Sequence, residues 1–152
     1  MRILLTGGSS DLGHVLSKEL KNRGDTPLRI DVRAPMSDSG VYINGSILDR
    51  PLLRQSMEGV DCAVHIAAWH GFHEFTKQKD VYDFWELNVT GTSYVLQTAV
   101  ETGVKKIVHI SSESVLDWSG IYGHTKVLDE EMVRAYAQRH GLEIIILRPR
   151  AF

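Results

Sequence analysis

Short apolar runs alternate along the chain with stretches in which apolar residues recur every three or four positions. Ile3 to Thr6 reads as a short buried strand. Leu12, Val15, Leu16 and Leu20 then follow at helical spacing, and Gly24 stops that helix. Leu28 to Val32 is a second strand, and Val41 to Ile43 a weaker third. Asp49 can cap a short helix that carries Leu52, Leu53 and Met57 and ends at Gly59. Cys62 to Ala67 is a continuous apolar strand apart from His65, and a long polar and aromatic loop runs from Trp69 to about Lys79. The pattern next predicts a helix from about Val81 to Thr102, with Gly103 as its stop, and a strand over Lys106 to Ser111. A helix from about Tyr122 to His140, ended by Gly141, precedes a last strand over Glu143 to Leu147.

Strand and helix in alternation imply βαβ units and a parallel sheet. The strands are short apolar runs with little alternation, as burial on both faces requires. The predicted fold is therefore α/β, a doubly wound parallel sheet between two helical layers.

Composition narrows the class. At 152 residues the whole chain, 1–152, is expected to be one domain, long enough to bury a core without disulfides or metals. The formal net charge of -2 gives no basic footprint, so nucleic acid is not an expected partner. One cysteine, Cys62, rules out an internal disulfide. The apolar run Ile3 to Leu5 is too short for a signal peptide, and no stretch approaches a membrane span, so no membrane association and a cytoplasmic location are expected.

The stretch TGGSSDLG, Thr6 to Gly13, follows a strand, opens a helix and precedes an acidic residue, Asp31, at the end of the next strand. That context makes it a candidate dinucleotide turn. Gly7 permits a tight turn and Gly13 lets helix and sheet pack closely. The helix N-terminus offers free N–H groups to a pyrophosphate, and Asp31 can bind ribose hydroxyls. Ser10 stands where a glycine would let backbone and phosphates approach most closely; its hydroxyl can instead donate to phosphate.

With these residues in view, the chain resembles the N-terminal part of an extended short-chain dehydrogenase/reductase, of the NAD-dependent epimerase/dehydratase family. TGGSSDLG resembles that family's TGxxGxxG, with Ser10 as the departure. His65 to Ala68 (HIAA) resembles HLAA, Asn88 to Thr92 (NVTGT) resembles NVxGT, and Ile110 to Ser112 (ISS) resembles the strand that delivers the catalytic Ser or Thr. Tyr122 to Lys126 (YGHTK) resembles YxxxK, and Leu147 to Pro149 (LRP) resembles the segment after the sixth strand. The resemblance implies a Rossmann-type domain and oxidoreduction at a sugar or nucleotide-sugar hydroxyl, with NAD as cofactor. It implies cofactor contacts from Gly7, Ser9, Ser10, Asp11, Leu12 and Gly13 in the turn and from Asp31. Further contacts are expected from Ser46 and Ile47, from Ile66, Ala67 and Ala68, and from Asn88 and Ile110. Tyr122 and Lys126 complete the set.

Tyr122 and Lys126 lie four residues apart, on one face of a helix. A nearby ammonium favours the phenolate of a tyrosine, which then moves a proton on or off a substrate hydroxyl. The resemblance adds that Lys126 reaches the nicotinamide ribose and that Ser112 hydrogen-bonds the same substrate oxygen. Ser112, Tyr122 and Lys126 are thus the expected catalytic set, with His70, Ser112 and Glu113 against substrate. The stretch from Ser112 to Tyr122 is short for the family, and Trp118 is expected to fill part of the space. Glu113 and Ser114 stand where family dehydratases carry an Asp-Glu pair. Ser114 is no carboxylate, which leaves epimerisation or dehydrogenation.

Asp31 favours NAD over NADP, since a carboxylate repels a 2′-phosphate; Arg29 and Arg33 argue the other way. His70, His73 and Glu74 match no familiar zinc spacing, so no metal is expected. His65 is expected to bond backbone, and Asn88 to hold backbone or a water behind the tyrosine. Asp129, Glu130 and Glu131 read as a solvated helix face. A homodimer through the helices Val81–Thr102 and Tyr122–His140 is expected by resemblance. In the family the segment after LRP builds most of the sugar pocket; with nothing after Phe152, a C-terminal substrate domain is expected to be absent and the chain to turn over sugars poorly by itself. The rival reading is a non-catalytic dinucleotide-binding or sensing module, favoured by Ser10 and the short loop and opposed by the intact Ser112, Tyr122 and Lys126.

Overall fold

The computed structural model describes residues 1–36, 38–117 and 120–150; Trp118, with its expected space-filling role, lies outside them. Six strands form one sheet: β1 (Arg2–Thr6), β2 (Thr26–Asp31), β3 (Val41–Asn44), β4 (Cys62–His65), β5 (Lys106–Ile110) and β6 (Glu143–Leu147). Their order is β3-β2-β1-β4-β5-β6 and every pairing is parallel. This is the Rossmann order, and its direction reverses at β1. The expected α/β fold class is the observed one.

Helix α1 (Asp11–Asn22) covers one face. It packs Leu16 and Leu20 on Ile3, Leu5 and Val64. Helices α2 (Arg50–Met57), α5 (Gly91–Thr102) and α6 (Ile121–His140) cover the other, around Leu4, Ile30, Leu53, Leu96, Ile107 and Val133. Leu4 and Leu5 point to opposite faces and both are 0% exposed, so β1 is the sandwiched centre of the molecule. At the far edge, β6 leaves Ile145 and Leu147 exposed. Among the described residues no helix is long and apolar enough to cross a membrane.

Three of the differences from expectation bear on the site. Strand β4 stops at His65 rather than Ala67, because the Thr6 hydroxyl takes the N–H groups of Ile66 and Ala67 and turns the chain away. The expected loop after Trp69 contains a short helix, α3 (Gly71–Phe75), closed by its own capping box: His70 Nδ1 accepts Phe72 N–H and His73 Nδ1 accepts His70 N–H. The expected helix over Val81–Thr102 begins as α4 (Val81–Phe84) and widens into a π-turn over Trp85–Thr90 before α5. Asn88 sits in that widened turn, fully buried.

Candidate functional site

A cleft of about 440 Å³ opens at the carboxyl ends of β1, β2 and β4, where the strand order reverses. In open α/β sheets this is where ligands bind. The turn after β1 forms its floor. Gly7 has φ +68°, and a β-carbon there would stand 2.8 Å from the Ala67 nitrogen. A β-carbon on Gly13 would meet the Gly7 carbonyl oxygen at 2.7 Å. Both glycines let backbone approach backbone as the sequence requires.

Ser10 has ordinary extended φ and ψ, so its place in the turn needs no glycine for conformation. Its hydroxyl donates to the Gly7 carbonyl at 2.7 Å and accepts from Gly13 N–H at 3.2 Å, as the cap of α1. The expected donation of that hydroxyl to phosphate is thereby corrected: the turn itself uses the proton. Ser9 Oγ is buried and finds no hydrogen-bond partner among the described residues. Asp31 ties the turn to β2, accepting Ser9 N–H and Arg33 N–H at 2.9 Å each.

Of the expected cofactor set, Gly7, Ser10, Asp31, Ser46, Ile47, Ile66, Ala67 and Ala68 line the cleft. Ser9, Asp11, Leu12, Gly13, Ile110, Asn88, Tyr122 and Lys126 do not. Asn88 spends its amide on Trp69 N–H, the Trp69 carbonyl and Thr125 Oγ1, the backbone-holding role expected of it. Trp69, His73 and Lys79 also line the cleft, although the sequence marked only their loop. The Lys79 ammonium lies 4.3 Å over the Trp69 ring and pairs with Asp83 at 3.1 Å. Arg29 does not belong to the site: it is buried beneath Gly8, and its guanidinium donates to Ser39 and the Gly40 carbonyl. Arg33 is the exposed arginine beside Asp31, 3.8 Å from it.

The expected catalytic residues gather where β5 ends and α6 begins. Ser112 Oγ accepts Ser114 N–H and donates to Ser114 Oγ, both at 3.1 Å. Tyr122 lies in the first turn of α6, its ring 5.7 Å from that of His70. Gly71 packs on the same ring, at 3.2 Å from its would-be β-carbon. Gly120 gives α6 no side-chain cap; Glu74 on α3 supplies one, accepting Ile121 N–H at 2.8 Å and Tyr122 N–H at 2.9 Å. Glu113 pairs with Arg150 at 3.1 Å. Among the described residues no cluster of three or more His, Cys, Asp or Glu could hold a metal.

Asp129 and Glu130, expected on a solvated face, are buried at 0% and 2% exposure. Glu130 grips Arg148 through two hydrogen bonds and also takes Arg134 and the Ser111 hydroxyl. These partners, Arg148 above all, hold its carboxyl down at about 2. The Lys126 ammonium donates to the Ile110 carbonyl and to Asp129 Oδ2, each at 3.2 Å. Burial pushes the Asp129 carboxyl up to about 6 against the pull of Lys126.

His65 bonds side chains rather than backbone. The Thr6 hydroxyl already accepts two N–H groups, so its own proton goes to His65 Nδ1 at 2.7 Å. Nε2 then carries the ring proton and donates it to Thr92 Oγ1 at 2.9 Å. His109 stacks beside it with ring centroids 5.4 Å apart, and neither of its nitrogens has a partner among the described residues. Burial drives both imidazoles toward the neutral form, His109 down to about 3 and His65 well below the ordinary range.

Comparison with known proteins places this geometry. The model described as the NAD dependent epimerase/dehydratase family matches residues 3–151. A uronate dehydrogenase of Pseudomonas putida is 26% identical, over 97% of this chain and 59% of its own. A short-chain dehydrogenase/reductase superfamily protein from Agrobacterium tumefaciens, solved with bound NAD, superimposes with a TM-score of 0.88 at 27% identity, over 97% of this chain and 48% of that one. The dTDP-glucose 4,6-dehydratase DesIV from Streptomyces venezuelae, also solved with NAD, gives a TM-score of 0.85 at 27% identity, over 97% and 55%. The chain spans about half the length of the curated relatives it matches.

Proposed function

The chain belongs to the NAD-dependent epimerase/dehydratase family, and we propose that it binds NAD in the cleft at the ends of β1 and β4 and serves oxidoreduction at a sugar or nucleotide-sugar hydroxyl. Residues 1–152 act in this reading as one dinucleotide-binding domain. The observation that carries it is the cleft itself: a tight turn at Gly7, a helix end packed through Gly13, and Asp31 beside the turn at the end of β2. These features fit a dinucleotide. Free N–H groups at the start of α1 suit a pyrophosphate, and the Asp31 carboxylate suits ribose hydroxyls while repelling a 2′-phosphate. With Arg29 buried beneath the turn, Arg33 alone of the two arginines stands beside that carboxylate, which favours NAD over NADP.

Bound NAD supplies a hydride acceptor. Ser112 orients the substrate hydroxyl, Tyr122 takes its proton, and Lys126 holds ribose and stabilises the phenolate. His70 and Glu113 stand at the substrate side. Epimerisation or dehydrogenation is favoured over dehydration because Ser114 supplies no carboxylate.

Calorimetric titration of NAD into the chain, with NADP as comparison, tests the binding step. One site with preference for NAD is expected; no binding overturns the reading. Incubation with UDP-glucose, dTDP-glucose and a hexuronate then tests turnover, with Tyr122→Phe expected to abolish it and to retain NAD binding. A second reading, a dinucleotide-binding module without turnover, draws on one observation: the Lys126 ammonium is bonded to Asp129, and Lys126 is not among the residues that line the cleft. Native chain that binds NAD and turns over none of these substrates favours it.

A further inference from the structure

Lys126 is the least accessible of the residues expected to act. It is 2% exposed and is not among the residues that line the cleft. Two of its three N–H donors are taken, one by the Ile110 carbonyl and one by Asp129. Asp129 is itself 0% exposed, and besides Lys126 its carboxylate has one neutral donor, the Thr92 hydroxyl. A buried carboxylate matched by a single cation and one hydroxyl is a costly arrangement, because buried ion pairs recover little more than their desolvation.

Among the described residues Asp129 faces no other cation. From α6 it faces Lys126 and the like charge of Glu130, whose own charge is matched by Arg148 and Arg134. From α5 it faces the neutral hydroxyl of Thr92. In the sheet beneath, His65 of β4 and His109 of β5 feel the charge of Lys126 and are kept neutral, above all by burial. The pair is therefore one to one, and a carboxylate there competes with any ligand for the same ammonium.

We propose that Asp129 is a positioning residue that holds Lys126 back from the dinucleotide cleft, so that ionisation of Asp129 and occupation of the cleft oppose one another. This rests on the reading above that Lys126 holds the ribose of NAD. When Asp129 is charged, Lys126 is tied to it. When Asp129 takes a proton, the ammonium is released toward the ligand. The carboxyl, raised by burial to about 6, makes that exchange inside the range in which proteins are handled. By linkage, NAD binding then takes up a proton near that pH and strengthens as the pH falls through it.

The test is calorimetric titration of NAD into the whole chain at pH 7.5 and 5.5, in buffers of different ionisation enthalpy so that proton uptake is counted. The native chain is expected to bind NAD at least about threefold tighter at pH 5.5, with proton uptake on binding near pH 6. Asp129→Asn is expected to bind at pH 7.5 as tightly as the native chain does at pH 5.5, with that proton uptake gone. A merely structural Asp129 would give weaker binding in this variant and leave the proton count unchanged, which overturns the proposal. Lys126→Met separates the two ideas. If it binds NAD as the native chain does, the role of Lys126 fails; if it binds more weakly while Asp129→Asn gains nothing, the holding role alone fails. Should Asp129→Asn not fold, the pH dependence is measured in His73→Gln, which removes the histidine of the cleft wall. Persistence of the rise at pH 5.5 supports the proposal, and its absence overturns it.

Discussion

The Glu74 carboxylate accepts the backbone N–H of Tyr122 at 2.9 Å, with Ile121 N–H beside it, so a residue of the loop over the cleft caps the helix that carries the candidate proton carrier. Gly120 cannot cap that helix, and a β-carbon there would stand 2.9 Å from a Glu74 oxygen. The glycine makes room for the borrowed cap. Movement of the loop that bears Trp69 and His73 is thereby tied to the position of Tyr122.

Removing that cap has a defined cost. Glu74→Ala is expected to lower unfolding free energy by about 1–2 kcal/mol, the usual loss for a cap, and Glu74→Gln by less, since its amide oxygen still accepts one bond. Urea unfolding followed by circular dichroism measures both. Equal stability of Glu74→Ala and the native chain would show that the cap is not used in solution.

Ser10 separates a structural serine from a ligand-binding one. Its hydroxyl is committed to Gly7 and Gly13. Ser10→Ala should therefore cost about 1 kcal/mol of stability and Ser10→Gly a few tenths. NAD affinity of Ser10→Gly, measured by titration, should stay within about threefold of native. A tenfold change in either direction would mean that the hydroxyl meets the ligand after all.

Gly13→Ala should do far more damage. The new β-carbon would lie 2.7–2.8 Å from the Gly7 oxygen and from Gly8 backbone atoms. No flexible side chain is there to yield, so α1 must lift off the turn. A loss of about 1–3 kcal/mol in stability, as for overpacking, is expected together with loss of NAD binding. Retention of native affinity in this variant would remove the turn from the site.

Acid should destabilise the fold earlier than carboxylates alone would. His65 and His109 are held neutral when folded and protonate freely, near pH ~6.5, only when unfolded. Below that pH the unfolded chain binds more protons, so stability falls as the pH drops. Asp129 opposes this between about 6 and its ordinary value near ~3.9, because there the folded state holds the extra proton. Glu130, held at about 2, adds to the loss below its ordinary range. The two histidines outweigh the one carboxyl, so the urea midpoint is expected to decline between pH 6.5 and 4.5. His109→Leu, which buries no ring nitrogen, should reduce that decline. An unchanged slope would show that His109 does not carry it.

The sheet and the turn were legible because their signals are local. Apolar runs such as Ile3 to Leu5 and stops such as Gly24 mark elements directly, and Gly7, Gly13 and Asp31 sit at fixed offsets from them. Helix α3 was not legible: five residues, Gly71 to Phe75, are too few for periodicity, and the histidine capping box that closes it is not a common one. The burial of Asp129 and Glu130 was not legible either. Their spacing from Lys126 and Arg134 along α6 suits a solvated face equally well. What buries them lies elsewhere in the chain, in Arg148 after β6, Ser111 after β5 and Thr92 on α5, and only the packing of α6 on the sheet brings those together.

The central position of β1 carries a consequence for the order in which the protein is made. Among the described residues, all that line the cleft lie between Gly7 and Leu87, while Ser112, Tyr122 and Lys126 come after it. A chain growing from its N-terminus therefore has these lining residues in place in its sequence before any residue expected to do chemistry has been synthesised.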